Sequence, residues 1–167
     1  EIKQLSLNLP EDISSQQVAK MFLFSCYTGL SIANLLSLTF KQIEGNKVKF
    51  FREKTKTWHY VELSKTALAL IGDTVNCQPS TKVFTTLDYH QSLYRLQKWG
   101  KQAGIQKKLK FHLGRHTFAT LSLTQGVDLY TVQKLIGHKK LATTQIYAKV
   151  IDSAKRKAVD ALPQLEL

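Results

Sequence analysis

Apolar residues in this chain recur at helical spacing except in one stretch, where the period drops to two. Lys47-Val48-Lys49-Phe50-Phe51-Arg52 and Trp58-His59-Tyr60-Val61-Glu62-Leu63 alternate in this way, and the turn Glu44-Gly45-Asn46 precedes them. A period of two presents one face of a strand to a core, whereas recurrence at i, i+3 and i+4 builds a stripe along a helix. With a short strand near Gln42-Ile43, the stretch predicts a small antiparallel three-stranded meander.

The rest reads as helix. Glu1 to Leu9 reads as a helix tail ending before Pro10. A helix from Ser14–Ser15 to Tyr27 carries Val18, Met21, Phe22 and Ser25 on one face and is stopped by Gly29. Ser31 stands where an N-cap belongs, opening a short helix that buries Ile32, Leu35 and Leu36. Helical spacing returns after Ser64, after Asp88, from His112 to Thr124 before Gly126, and from Asp128 to Ile136 before Gly137. It returns again over Thr143 to Ala148 and from about Asp152 to Ala161. The expected fold class is α+β, mainly helical, with the sheet in the N-terminal half. At 167 residues the chain suits one domain, 1–167.

Charge narrows the partners. The chain has 24 Lys and Arg against 12 Asp and Glu, a formal net charge of +12. From Tyr89 to Val127 there is no carboxylate, while Arg95, Lys98, Lys101, Lys107, Lys108, Lys110 and Arg115 supply seven cations. A second basic cluster comprises Lys139, Lys140, Lys149, Lys155, Arg156 and Lys157, and a third, from Lys41 to Lys56, is diluted by Glu44 and Glu53. Clusters of this kind attract a nucleic-acid backbone; the plainer alternative is a solvated basic surface. The longest clearly apolar stretch, Met21 to Phe24, falls far short of the ~20 residues of a membrane span, and no membrane partner is expected. Cys26 and Cys77 lack the spacing of a disulfide framework or a zinc site, which favours a reducing interior over secretion.

The residues that carry chemistry come late. In His112-Leu113-Gly114-Arg115-His116 a histidine and an arginine three apart share a helix face. Leu135-Ile136-Gly137-His138 puts an imidazole directly after a helix-ending glycine, and Thr143-Thr144-Gln145-Ile146-Tyr147 presents a tyrosine nine residues beyond it. This ordered set resembles the HxxR, Leu-Gly-His and Thr-Thr-x-x-Tyr motifs of the tyrosine recombinase catalytic domain, found in phage- and transposon-type integrases. Phe22 to Leu30 and the Lys54-Thr55 hairpin extend the resemblance over nearly the whole chain.

That resemblance implies a DNA strand transferase. Tyr147 would be the nucleophile, forming a 3′-phosphotyrosyl link to DNA. Arg115 suits two phosphate oxygens, since its planar fork is bidentate. His112 would take the phenolic proton or hold a phosphate oxygen, and His138 would hydrogen-bond another. His116 is expected to point off this face as a structural residue. Lys54, or Lys56 if the register differs by two, would protonate the leaving 5′-oxygen. Transesterification conserves bond energy, so no ATP is needed, and no metal or other cofactor is expected. Double-stranded DNA recombination sites, a homotetramer on DNA and a bacterial cytoplasmic, nucleoid-associated location are implied. So are a DNA-clamping domain upstream of Glu1 and a C-terminal segment, residues 152–167, that docks on a neighbouring subunit or packs on its own domain.

One departure stands out. Family members usually read Thr-Gly-Leu-Arg followed three residues on by Glu or Asp, whereas this chain reads Thr28-Gly29-Leu30-Ser31 and then Asn34. One phosphate-clamping arginine and its carboxylate partner are both absent. Either the domain is a catalytically impaired DNA-binding module or another cation serves. Arg52, two residues before Lys54 on one strand, is the first candidate, and Arg95 the second.

Overall fold

A 16-residue helix organises the N-terminal part of the chain. In this computed structural model, residues 1–52, 56–74, 76–85, 88–137, 147 and 159 are described, without the side chains of Arg52 and Thr57. They form α1 (Ile2–Leu7), α2 (Ile13–Thr28), α3 (Ile32–Ser37), a 3-10 turn (Phe40–Gln42), β1 (Ile43–Glu44), β2 (Lys47–Arg52), β3 (Thr57–Glu62), α4 (Lys65–Ile71), α5 (Tyr89–Gln102), α6 (His112–Thr124) and α7 (Leu129–Ile136). Contacts divide the chain into two compact units, Glu1–His116 and Thr117–Leu167. Among the described residues no helix is long and apolar enough to cross a membrane.

In the first unit α2 is buried along most of its length, from Val18 and Ala19 through Met21 to Cys26. It packs against α3, α4 and α5. Phe22 meets the edge of Trp99 on α5, and Phe24 meets Phe84, with ring centroids 6.3 and 5.4 Å apart. Trp99 is fully buried yet satisfied, because its indole N–H donates to the Asn8 carbonyl at 2.6 Å. Each such side chain gains roughly 1.5–3 kcal/mol from leaving water.

The caps explain the helix starts. Asp12, rather than the expected Ser14–Ser15, caps α2 by accepting from the Ser15 N–H at 2.9 Å, so the helix begins slightly earlier than its sequence pattern. Ser31, Ser64 and Asp88 cap α3, α4 and α5 in the same way. Asp128 caps α7. The two aspartates flanking the carboxylate-free stretch are thus committed to backbone N–H groups.

The sheet has the order β1-β2-β3 and is antiparallel throughout. Glu44 pairs with Lys47 across the Gly45-Asn46 turn, and Phe51 and Arg52 pair with Trp58 and Thr57. Val48 is fully buried, whereas Trp58 and Tyr60 stand largely exposed on the opposite face. The segment after α4 carries neither a helical nor a strand period. It joins the fold through main-chain bonds, Phe40 N–H to the Thr81 carbonyl and Val83 N–H to the Leu38 carbonyl, both at 3.0 Å, and buries Phe84.

The described part of the second unit is simpler. Ala119 and Leu123 of α6 pack with Val132 and Ile136 of α7 and with Tyr147. Gly126, at φ +88, lets the chain turn between the helices, where a side chain would strain the backbone. The expected C-terminal helix, Asp152 to Ala161, lies outside the described residues except for Val159.

Candidate active site

The end of α2 is fixed by its own side chains. Gly29 adopts φ 68, its N–H donates to the Ser25 carbonyl at 2.9 Å, and Thr28 Oγ1 donates to the Phe24 carbonyl at 2.7 Å. Ser25 Oγ, buried, donates to the Leu30 carbonyl at 2.8 Å. Each of these polar groups is removed from water, so each bond avoids a desolvation cost of about 1–3 kcal/mol.

Against this turn lies the first turn of α6. Arg115 Nη1 donates to the Gly29 carbonyl at 2.8 Å, and the side chain is half-buried. The preceding residue has to be glycine: a Cβ on Gly114 would sit 2.7 Å from Ser25 Oγ and 2.8 Å from Ser25 Cβ. The bare backbone therefore brings α6 onto α2 and sets the guanidinium beside the Thr28-Gly29-Leu30 turn.

His112 is exposed, one turn before Arg115. His116 corrects an expectation: it does not turn away, because i and i+4 share a face as much as i and i+3 do. Its ring meets that of His112 edge-on at 5.3 Å. Burial, reinforced by the neighbouring His112 and Arg115, lowers its pKa below the usual 6.5. The site thus groups two imidazoles and one guanidinium on the first turns of α6.

The departure at positions 31 and 34 has a definite structure. Ser31 Oγ accepts from the Asn34 N–H at 3.4 Å and donates to Asn34 Oδ1 at 2.5 Å. A neutral reciprocal cap thus occupies the two positions expected to hold a cation and its carboxylate. Beside it lies a half-open hollow of about 130 Å³, lined in part by Leu30, Asn34, Val48 and Phe50.

Of the substitutes, Arg95 is engaged at the far end of α2. Its Nη1 pairs with Asp12 Oδ1 at 3.1 Å and reaches Ser15 Oγ at 3.2 Å, at the start of α2. Fourteen residues of helix separate Ser15 from Gly29, about 21 Å at the usual rise per residue. Arg52 ends β2 opposite Thr57, and its side chain lies outside the described residues. Lys54 and His138 also lie outside them. Lys56 is described at the hairpin turn, exposed, with φ 50. Gly137, directly before His138, ends α7 in the left-handed conformation as expected. Tyr147, in the second unit, is 3% exposed.

Sequence reasoning missed Ser25 and Gly114 as parts of this site. A glycine inside a helical pattern was the available signal for a close approach.

Residues 1–153 match the phage integrase family model, and the chain belongs to that family of tyrosine recombinases. It is 34% identical to the tyrosine recombinase XerA of Saccharolobus solfataricus over 138 residues, covering 81% of this chain and 47% of that protein. It is also 34% identical to the tyrosine recombinase XerC of Shewanella amazonensis over 172 residues, covering 89% of this chain and 57% of that one. The chain thus spans about half the length of these relatives. Among solved structures, a XerA recombinase superposes with a TM-score of 0.72 at 25% identity, covering 98% of this chain and 64% of that one. The catalytic domain of bacteriophage HP1 integrase superposes with a TM-score of 0.69 at 21% identity, covering 97% and 91%, a likeness of fold. The expected α+β recombinase fold with its three-stranded sheet is the one found.

Proposed function

We propose that this chain is the cutting and rejoining part of a site-specific DNA recombinase, acting on double-stranded recombination sites as a homotetramer. The observation that carries the reading is Arg115, held by the Gly29 carbonyl with His112 one turn away on the same helix. A phosphodiester repels nucleophiles through its own charge, and a preorganised guanidinium removes that barrier where charge develops.

In the proposed step, Tyr147 Oη attacks the scissile phosphorus. The Tyr–O–P bond forms, the bond from phosphorus to the 5′-oxygen breaks, and a 3′-phosphotyrosyl link remains. The phenolic proton leaves to an imidazole, with His112 the acceptor or a ligand to a non-bridging oxygen, and His138 bonding the other. The 5′-oxygen takes its proton from Lys54, or from Lys56. Rejoining reverses these transfers, so the bond count closes without ATP or metal. A phenol with an ordinary pKa near ~10 needs such neighbours to react at neutral pH.

The second cation is assigned to Arg52. It ends β2 two residues before Lys54, the residue proposed to protonate the leaving oxygen.

A second reading, a DNA-binding module without catalysis, is favoured by the neutral Ser31–Asn34 cap. Loss of one preorganised donor costs a catalytic site about 3–4 kcal/mol. The two readings part in one experiment. The chain is incubated with a pool of labelled duplexes carrying a randomised segment and a nick, so that a short leaving strand diffuses away after cleavage. A denaturation-resistant protein–DNA adduct supports the enzyme; salt-sensitive retention of DNA without any adduct supports the module.

A further inference from the structure

We infer that Ser25 is a positioning residue for Arg115: its buried side chain fixes the turn whose carbonyl orients the guanidinium. The inference rests on the reading that Arg115 holds the scissile phosphate.

Ser25 is 1% exposed and grips the turn twice. Its carbonyl accepts from the Gly29 N–H at 2.9 Å, and its hydroxyl donates to the Leu30 carbonyl at 2.8 Å. These two bonds bracket the Gly29 carbonyl, the acceptor for Arg115 Nη1. A helical serine commonly bonds back to the carbonyl four residues earlier. Here the hydroxyl points forward, out of the helix and across the turn.

The same side chain also touches the arginine's helix. Ser25 lies where a Cβ on Gly114 would clash, and Gly114 immediately precedes Arg115. One serine therefore sets both the position of the acceptor and the distance of the donor's backbone. An arginine on a long side chain carries about 2 kcal/mol of rotamer entropy. Fixing its acceptor and its backbone together removes much of that freedom before the phosphate arrives.

Two readouts test this. The first needs no catalysis: the 15N-labelled Nη–H resonance of Arg115 is expected to exchange slowly with solvent in the parent and to be averaged with bulk exchange in Ser25→Ala. The second uses the nicked, randomised duplex pool. Ser25→Ala is expected to slow adduct formation at saturating DNA by about tenfold, the scale of one net hydrogen bond, while the half-saturating DNA concentration stays within about twofold. Ser25→Cys, which keeps the shape and a weak donor, recovers part of the rate. In an Arg115→Ala background, Ser25→Ala adds nothing further. An unchanged Arg115 resonance in Ser25→Ala, or equal slowing with and without Arg115, overturns the inference. A parent chain that forms no adduct overturns the recombinase reading instead, and the resonance still decides the role of Ser25.

Discussion

Arg115 and Gly29, 86 positions apart in the chain, are joined by a 2.8 Å hydrogen bond from guanidinium to backbone carbonyl. This bond ties the helix that bears His112 and Arg115 to the turn that leads into the Ser31–Asn34 cap. It makes Arg115 the fixed point of the site. Lysine at this position keeps the charge and loses the planar fork. Arg115→Lys is therefore expected to lower the single-turnover rate of adduct formation by about 10²-fold or more, the effect of removing one preorganised donor. DNA retention at low salt falls far less, because many phosphate contacts share it.

The Ser31–Asn34 cap predicts a rescue. Arg52→Ala is expected to reduce adduct formation by roughly 10²–10³-fold, and Ser31→Arg with Asn34→Glu to restore a large part of that loss. Introducing the arginine and the carboxylate together avoids leaving either charge unpaired in a half-buried site. Adduct formation that is indifferent to Arg52→Ala removes Arg52 from the mechanism.

Gly114→Ala tests the packing of α6 on α2 through stability. The added methyl meets Ser25 Cβ at 2.8 Å and the Phe22 carbonyl oxygen at 3.3 Å, neighbours that cannot swing aside. Overpacking of this kind costs about 1–3 kcal/mol, measured as a lowered denaturant midpoint. An unchanged midpoint shows that α6 shifts away at no cost.

His116 gives the pH dependence a sign. Its folded pKa lies below 6.5 because burial, with help from His112 and Arg115, disfavours the imidazolium. Below pH 6.5 the unfolded chain takes up this proton more readily than the folded one. Stability is therefore retained above that pH and declines as the pH falls from 6.5 to the lower folded value. His116→Gln is expected to flatten this part of the stability–pH curve, measured by urea unfolding at a series of pH values. A curve identical to the parent's contradicts the assignment.

Local rules made much of this fold readable. Gly29 and Gly137 end their helices in the left-handed region, and Ser31, Ser64, Asp88 and Asp128 cap theirs, because capping is decided within four residues. The alternation over Lys47–Arg52 and Trp58–Glu62 located the sheet for the same reason. The missed features are tertiary. Phe84 is buried in an irregular segment with no period to reveal it, and Ser25 acts on residues whose nearness depends on α2 and α6 meeting. Arg95 looked available in a carboxylate-free stretch of sequence, but the fold sets Asp12, from outside that stretch, against it.

The identity of the residue that becomes joined to DNA decides whether Tyr147 is the nucleophile. Adduct formed on the nicked, randomised duplex pool is digested with protease and nuclease, and the nucleotide-bearing peptide is sequenced by mass spectrometry. A 3′-nucleotide on the oxygen of Tyr147 and no adduct from Tyr147→Phe are expected. A nucleotide on any other residue, or undiminished adduct from the phenylalanine variant, contradicts that role for Tyr147.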